Sequence, residues 1–346
     1  MFTADNHIQY HISKNTVIPK RVLVIRLQAT GDVIIMLPYI QSLRNQLPKD
    51  TQIDLLVREE CKNIPENLNL FDNVYVMQGA RNTKLQLLHF VFALWPKLFF
   101  KKYDVLLDLQ NHNLSGVMRF LLRFKSYTIF DRTSTNYAGD RYKNTINVLN
   151  LPAVKFEKLD CFKPYSKDEL FKKFNLNQNQ KYIVLNPAGA FENRNWKLEN
   201  YVQLAKLFLQ EKDNEYQFLI LGIEKVKAAG QYFETELADK LTDIVGKTTQ
   251  LEAMLLLKHV DLVISEDSGL FHMSYVVGTP TLGIFGSTRN DWTNPNLPHT
   301  FCFNSSDLEC GNCMLEKCLY QEIKCLERLK PNVVLEQAFK LLNISN

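Results

Sequence analysis

Glu266, Asp267, Ser268 and Gly269 form a short polar knot between two stretches that are almost wholly apolar. Leu262 to Ile264 reads as a buried parallel strand, and a helical pattern runs from Leu270 to Val277 until Gly278 and Pro280 stop it. A second apolar run, Thr281 to Phe285, ends at Gly286-Ser287-Thr288. The turn between a parallel strand and its helix is where an open α/β sheet receives ligands. The first N–H groups of such a helix lack backbone partners and carry partial positive charge, which suits a phosphate. Asp267 or Ser268 could hydrogen-bond a ribose there, or could do no more than cap the helix.

A second group able to do chemistry is Cys310, Cys313, Cys318 and Cys325, spaced Cys-x2-Cys-x4-Cys-x6-Cys. Thiolates at such spacing can wrap one tetrahedral zinc or iron ion. Reduced buried thiols, or a redox-sensitive cluster, are the other readings. Cys61, Cys161 and Cys302 stand alone in the sequence.

The elements that must position these residues fall into two α/β halves. The first opens with a strand, Arg21 to Leu27, turns at Gln28-Ala29-Thr30-Gly31-Asp32 and continues as a helix from Val33 to about Leu47. Strands at Ile53 to Val57, near Val74 and from Tyr103 follow. The second half opens at Tyr182 to Gly189, continues with a helix around Leu198 to Gln210 and a strand at Gln217 to Gly222, and reaches the polar knot described above. A last helix, Pro331 to Leu342, starts with proline in its first turn. Strands alternating with helices predict parallel sheets with right-handed crossovers. The polar stretch Asn150 to Lys181 reads as the connector.

A length of 346 residues suits two domains, and 46% hydrophobic with 23% charged residues is ordinary for a globular protein. No run reaches the roughly 18 to 20 apolar residues that span a bilayer. The N-terminal residues 1–20 have no apolar core, so they are expected to be a polar extension and not a signal peptide, and the protein is expected to be cytoplasmic. Residues 1–165 hold 22 Lys/Arg against 14 Asp/Glu, a balance of +8, which leaves −4 for the rest. A basic half suits an anionic partner, although a merely solvated surface would look the same. Leu85 to Phe100 is nearly all apolar, holds Trp95 and Pro96 and is followed by Lys101-Lys102. It is either a buried helix or a segment lying in a membrane interface with its lysines near anionic headgroups. A nicotinamide dehydrogenase would need G-x-G-x-x-G after the first strand, and LQATGD lacks it.

Asp267, Ser268, Gly269, His272, Gly278 and Pro280 together resemble the nucleotide-sugar motif of glycosyltransferase family 9, the ADP-heptose:lipopolysaccharide heptosyltransferases. Ser274 stands where the family usually has alanine. Two more blocks follow the family's order. Gly31, Asp32 and Pro38 match its strand-to-helix turn, and Asn186, Pro187 and Trp196 match its N-P-G-A…K-R-W-P block, with Ala188-Gly189 reversed, Arg194 in place of lysine and Lys197 in place of proline.

The resemblance implies GT-B architecture: two doubly wound Rossmann-like domains facing across a cleft that closes on the substrates. We expect an acceptor domain at 21–170 and a nucleotide-sugar domain at 171–346, which carries the cysteine-rich segment 302–325. The implied function is inverting transfer of a heptose from ADP-heptose to a lipopolysaccharide core acceptor. A relative using another nucleotide sugar, or a non-catalytic binding or assembly protein, is the alternative. Asp32 is implied as catalytic base, in the acceptor-side turn with Thr30 and Gly31, although it could merely cap the helix. A base is needed because an inverting transfer takes the proton from the acceptor hydroxyl as that oxygen attacks. Arg194, Glu224, Asp267, Ser268, Gly269, Leu270, His272 and Thr288 are the implied donor-binding residues, and Gly31 is expected to allow a tight turn. Trp196 is expected to be a core anchor. No cofactor is expected to be required, with a structural metal on the cysteines left open. The expected partners are the donor, a phosphorylated lipid-linked saccharide and the inner-leaflet surface, and no nucleic acid.

Overall fold

The apolar runs that form the central strands of the first half are buried because those strands are covered on both faces, as parallel sheets require. The computed structural model describes residues 8–13, 18–79, 84–191, 194–211, 215–320 and 322–344, apart from the side chains of 84, 85 and 344. It separates into two compact units, Met1–Lys163 and Pro164–Asn346.

The first unit carries β1 (Gln9–His11), β2 (Arg21–Ile25), β3 (Gln52–Arg58), β4 (Asn73–Met77), β5 (Tyr103–Asp108) and β6 (Phe124–Ile129). Their order across the sheet is β1-β6-β5-β2-β3-β4. All neighbours are parallel except β1, which runs antiparallel to β6. The helix Thr30–Gln46 follows β2 and is buried at every position from Val33 to Leu43. A helix apolar on all sides belongs inside a fold. Its two buried polar residues find partners in the connector: Gln41 donates to the Lys158 carbonyl and Ser42 to the Glu157 carboxylate.

The second unit carries β7 (Lys181–Asn186), β8 (Tyr216–Ile220), β9 (Leu241–Asp243), β10 (Leu262–Glu266), β11 (Thr281–Ile284) and β12 (Thr300–Phe303), ordered β12-β11-β10-β7-β8-β9. Every pairing is parallel. Counted from β7, this is the doubly wound order 3-2-1-4-5-6, whose direction of progression reverses between β7 and β10. The parallel strands of the first unit follow the same rule, and reverse between β2 and β5. The helices Leu198–Glu211 and Pro331–Ile344 pack on the second sheet, where Trp196, Tyr201, Phe208, Phe218 and Phe233 fill the core.

Several expectations need correction. Part of the N-terminal extension is a strand, since β1 uses the backbone of a free sheet edge and needs no apolar pattern; residues 1–7 and 14–17 lie outside the described residues. The connector is not all loop, because it contains the helix Lys167–Lys173. That helix belongs to the second unit, seven residues earlier than the expected boundary at 170/171. Phe171 fixes it there through ring contacts with Tyr182 and His259. Gly31 does not make a turn of unusual backbone: the helix already starts at Thr30, and Gly31 is not among the glycines with positive φ. The segment 85–100 is divided between the core and the surface. Phe90, Leu94 and Leu98 are buried in the first core, whereas Leu88, Phe92 and Phe100 are exposed.

Candidate active site

In each unit the residues able to do chemistry gather at the C-terminal ends of the strands that flank the reversal, where two crossovers leave in opposite directions and open a crevice.

In the second unit, Asn186 ends β7 and Glu266 ends β10, directly beside it. The Asn186 amide donates to the hydroxyls of Ser265 and Ser268, at 2.7 Å each. Ser268 is the N-cap of the helix Gly269–Val276 and accepts from the Phe271 N–H. The capping reading therefore holds for Ser268 and not for its neighbour. Asp267 instead accepts from Arg194 Nη1 at 2.9 Å and from Thr288 Oγ1 at 3.0 Å. Arg194 further donates to Met314 Sδ and lies 5.0 Å over the Phe191 ring, while among the described residues its Nε has no hydrogen-bond partner. A Cβ added at Gly269 would meet nothing within 4 Å, so open space borders the first residue of the helix. Leu270 is half-buried beside that space. His272 is buried and packs edge-on against Phe271 and Tyr275. Gly278 ends the helix with φ +82, a conformation that favours glycine.

Glu266, unassigned by the sequence reading, organises this crevice. Its carboxylate is fully buried and accepts the N–H of Gly189 and the N–H of Trp196 at 2.6 Å each, and the Tyr201 hydroxyl at 3.4 Å. One side chain thus ties together the two ends of the loop that carries Arg194; residues 192 and 193 within it lie outside the described residues. The ends almost touch. A Cβ on Gly189 would come within 2.5 Å of the Arg194 carbonyl, which explains why glycine stands second in the Ala188-Gly189 pair. Lys225 closes the same loop by donating to the carbonyls of Gly189 and Ala190. Burial pushes the Glu266 carboxyl up to about 8, against the opposing pull of its two N–H donors, Tyr201 and Lys225. Trp196 is buried in the core and donates from its ring to the Leu329 carbonyl.

Glu224 follows β8 at the same rim, exposed and paired with Lys227 at 3.2 Å. A Cβ on Gly246, just beyond β9, would lie 2.7 Å from its carboxylate, so the β8 and β9 ends meet at this residue. The four clustered cysteines line one pocket of about 160 Å³ together with Ser287, so the segment abuts the Thr288 turn. Met314 joins it to Arg194 and Arg289. Among the described residues none of the seven cysteines forms a disulfide, and no group of three or more His, Cys, Asp or Glu is arranged to hold a metal ion.

In the first unit, Asp32 stands in the opening turn of the helix Thr30–Gln46, and its side chain is 40% exposed. Arg26 reaches it at 2.6 Å, and the Ala29 N–H donates to the same Oδ2. Arg26 is itself buried. It donates to the Leu109 carbonyl and lies over the rings of Phe130 and Tyr142. The ends of β2 and β5 are stitched together here by Gln110, whose side-chain Oε1 accepts the N–H groups of Leu27 and Gln28. Arg58 and Arg141 add two more guanidinium groups to this rim, Arg58 by donating to Gln28 and Arg141 from over the Phe130 ring. The Thr30 hydroxyl lies 3.5 Å from Cys61 Sγ.

The family model for glycosyltransferase family 9 (heptosyltransferase) matches residues 91–324. The chain belongs to this family. Among curated relatives, lipooligosaccharide heptosyltransferase 2 of Campylobacter jejuni is 27% identical over 250 residues, which cover 71% of this chain and 77% of that protein. A family 9 glycosyl transferase from Veillonella parvula superposes with a TM-score of 0.76 at 20% identity, covering 93% of this chain and 97% of that one. Escherichia coli ADP-heptose lps heptosyltransferase II gives a TM-score of 0.67 at 19% identity over 93% of this chain and 98% of that one. The fold is accordingly GT-B, and this family 9 protein is a glycosyltransferase.

Proposed function

We propose that this protein is an inverting glycosyltransferase that moves a heptose from ADP-heptose to a lipopolysaccharide core acceptor. The observation that carries the reading is Arg194 fixed by Asp267, which Thr288 holds in turn, near a helix whose first residue, Gly269, borders open space, at the reversal point of a doubly wound sheet. A cationic fork and unpaired N–H groups suit a diphosphate. The related proteins named for heptosyl transfer supply the sugar.

In this reading the acceptor hydroxyl gives its proton to Asp32 as its oxygen attacks the anomeric carbon. The bond from that carbon to the diphosphate oxygen breaks, the configuration inverts and ADP departs. Negative charge growing on the diphosphate is balanced by Arg194 and the helix starting at Gly269. Glu224 reaches the adenosine hydroxyls, and Leu270, His272 and Thr288 line the donor pocket. Thr30, Gly31 and the guanidinium-rich rim of the first unit receive the phosphorylated acceptor. Arg194 and the helix supply the positive charge, so the reading calls for no metal cofactor in transfer. Because the acceptor is lipid-linked, we place the enzyme in the cytoplasm, peripheral to the inner leaflet.

Calorimetry with ADP-heptose, ADP, UDP-sugars and GDP-sugars tests the donor. Selective binding of the two ADP compounds supports the reading, whereas preference for UDP or GDP overturns the donor. Transfer assays with a heptose-deficient core acceptor then test the reaction itself.

A further inference from the structure

We propose that the face of the first unit built from residues 87–100 and 113–123 docks on an anionic lipid bilayer, with Phe92, Phe100 and Phe120 entering the headgroup boundary. The proposal rests on the reading that the acceptor is lipid-linked, and it names the surface that brings the enzyme to it.

The helical run Lys84–His89, the π turn Phe90–Leu94 and the helix Trp95–Phe99 form one segment with apolar residues on all sides. A helical segment of that kind is buried in a core or meets lipid. Here it is split between the two. Phe90, Leu94 and Leu98 pack on Leu106 and Met118 of the first core, while Leu88, Phe92 and Phe100 are 50%, 77% and 75% exposed. The helix Asn113–Leu121 repeats the division: Met118 is buried, and Phe120 is 88% exposed with Val117 also out in solvent.

The two segments make one surface. The Trp95 ring N–H donates to the Leu121 carbonyl at 2.8 Å. The Arg123 guanidinium lies 4.2 Å over the Phe99 ring, whose edge contact with Phe100 is 5.4 Å. Contiguous exposed aromatic residues on a globular protein mark a surface that meets something.

Charge identifies the partner. Residues 87–125 hold six Lys/Arg against two Asp/Glu. Both acids are engaged within the fold, Asp108 buried against Arg119 and Asp104 paired with Lys125. Lys97, Lys102 and Arg123 remain exposed around the aromatic residues. Aromatic side chains ringed by cations fit the boundary between acyl chains and anionic headgroups. A second copy of this chain fits poorly, because it would set one cationic face against another. Among the described residues no helix is long and apolar enough to cross a membrane, so the contact is peripheral.

The test is flotation of the full chain with vesicles of phosphatidylcholine, alone or mixed with one third phosphatidylglycerol. The wild type is expected to float with the anionic vesicles and to lose much of that binding on the neutral ones. Phe92→Ser combined with Phe120→Ser is expected to lower partitioning about tenfold or more. Its melting temperature and ADP affinity should match the wild type, since both side chains lie outside the core. Equal flotation of wild type and double variant overturns the proposal, as does a wild type that ignores anionic vesicles. A wild-type dimer that the double substitution dissolves, without vesicle binding, also overturns it and assigns the face to self-association. ADP binding by the wild type reports separately: vesicle binding without ADP binding sinks the ADP-heptose donor reading and leaves the docking face standing.

Discussion

Two aspartate–arginine pairs sit at the two reversal points of this chain, and they are built differently. In the first unit Arg26 is buried under two rings while the Asp32 side chain is 40% exposed. In the second unit Arg194 and Asp267 are both largely withdrawn from solvent, and Asp267 is further engaged by Thr288. The first pair is a fixed arginine that presents a carboxylate. In the second neither group is exposed: the carboxylate is held by two partners, and the arginine keeps one Nε donor that has no hydrogen-bond partner among the described residues. A proton acceptor must be reachable by the attacking hydroxyl, whereas a phosphate ligand must be aimed and kept from collapsing onto other groups. In the proposed transfer the same two residue types serve opposite ends, the first pair offering a reachable carboxylate and the second an arginine held in place.

The sharpest way to break this comparison is Asp32→Asn against Asp267→Asn. If Asp32 is the proton acceptor, Asp32→Asn lowers kcat by about 10²- to 10⁴-fold with ADP affinity intact. Asp267→Asn should act mainly through donor binding, because it loosens Arg194 without touching the acceptor. Equal losses of kcat in the two variants would remove the distinction. Next in size is Arg194→Ala, expected to weaken ADP binding by roughly ten- to a hundredfold in calorimetry, as loss of a charged hydrogen-bond donor does. Arg194→Lys should fall between, since a point charge keeps the attraction and loses the fork. An Arg194→Ala protein that binds ADP as the wild type does would show that the arginine only braces Asp267.

How far the sequence discloses these pairs depends on where the charges lie. Asp267, Ser268 and Gly269 are visible because they interrupt apolar runs, and Asp32 because it follows a strand at a turn. Arg26 and Glu266 carry the same signal and are easily absorbed into the strands they adjoin, RVLVIRL and LVISE. A charged residue inside a buried run demands a partner, and that demand is the clue. Partners distant in sequence are not legible: the N–H groups of Gly189 and Trp196 lie about seventy residues from Glu266 along the chain. The helix Gln250–Leu257 announces itself by the capping box of Thr249 and Glu252, a local rule. β1 has no such mark, because it is specified by the edge of β6 and not by its own side chains. The exposed half of residues 87–100 is likewise silent, since an apolar residue reads the same in a core as on a surface.

Glu266→Gln sharpens the comparison at the loop that aims Arg194. A glutamine can accept one of the two N–H groups but turns its own N–H₂ toward the other, so one end of the loop is released. The carboxyl is raised to about 8 by burial, so the folded chain holds this proton more tightly than the unfolded chain, whose glutamate is near its ordinary 4.5. The stability contributed by that proton is complete below pH 4.5 and is lost as pH rises through 8. Wild type should therefore lose on the order of a few kcal/mol relative to the variant between pH 5 and 9, read as converging or crossing melting temperatures. Parallel melting curves across that range would mean that Glu266 does not titrate with folding. Released loop geometry should also raise the KM for the donor more than it lowers kcat.

The smallest expected effect comes from Thr288→Val. This change keeps the buried shape and deletes the single hydroxyl that donates to Asp267 at 3.0 Å. Arg194 retains its ion pair, so the carboxylate keeps its charge partner and loses one of the two bonds that fix its orientation. Loss of one such bond corresponds to about two- to tenfold in ADP affinity. The kcat should be unchanged, because the acceptor side of the reaction is untouched. A loss as large as that of Arg194→Ala would mean that Thr288 meets the diphosphate itself. The donor would then be held by the turn after β11 as well as by the loop after β7, and Asp267 would be the hinge between two ligand-binding segments instead of the brace of one.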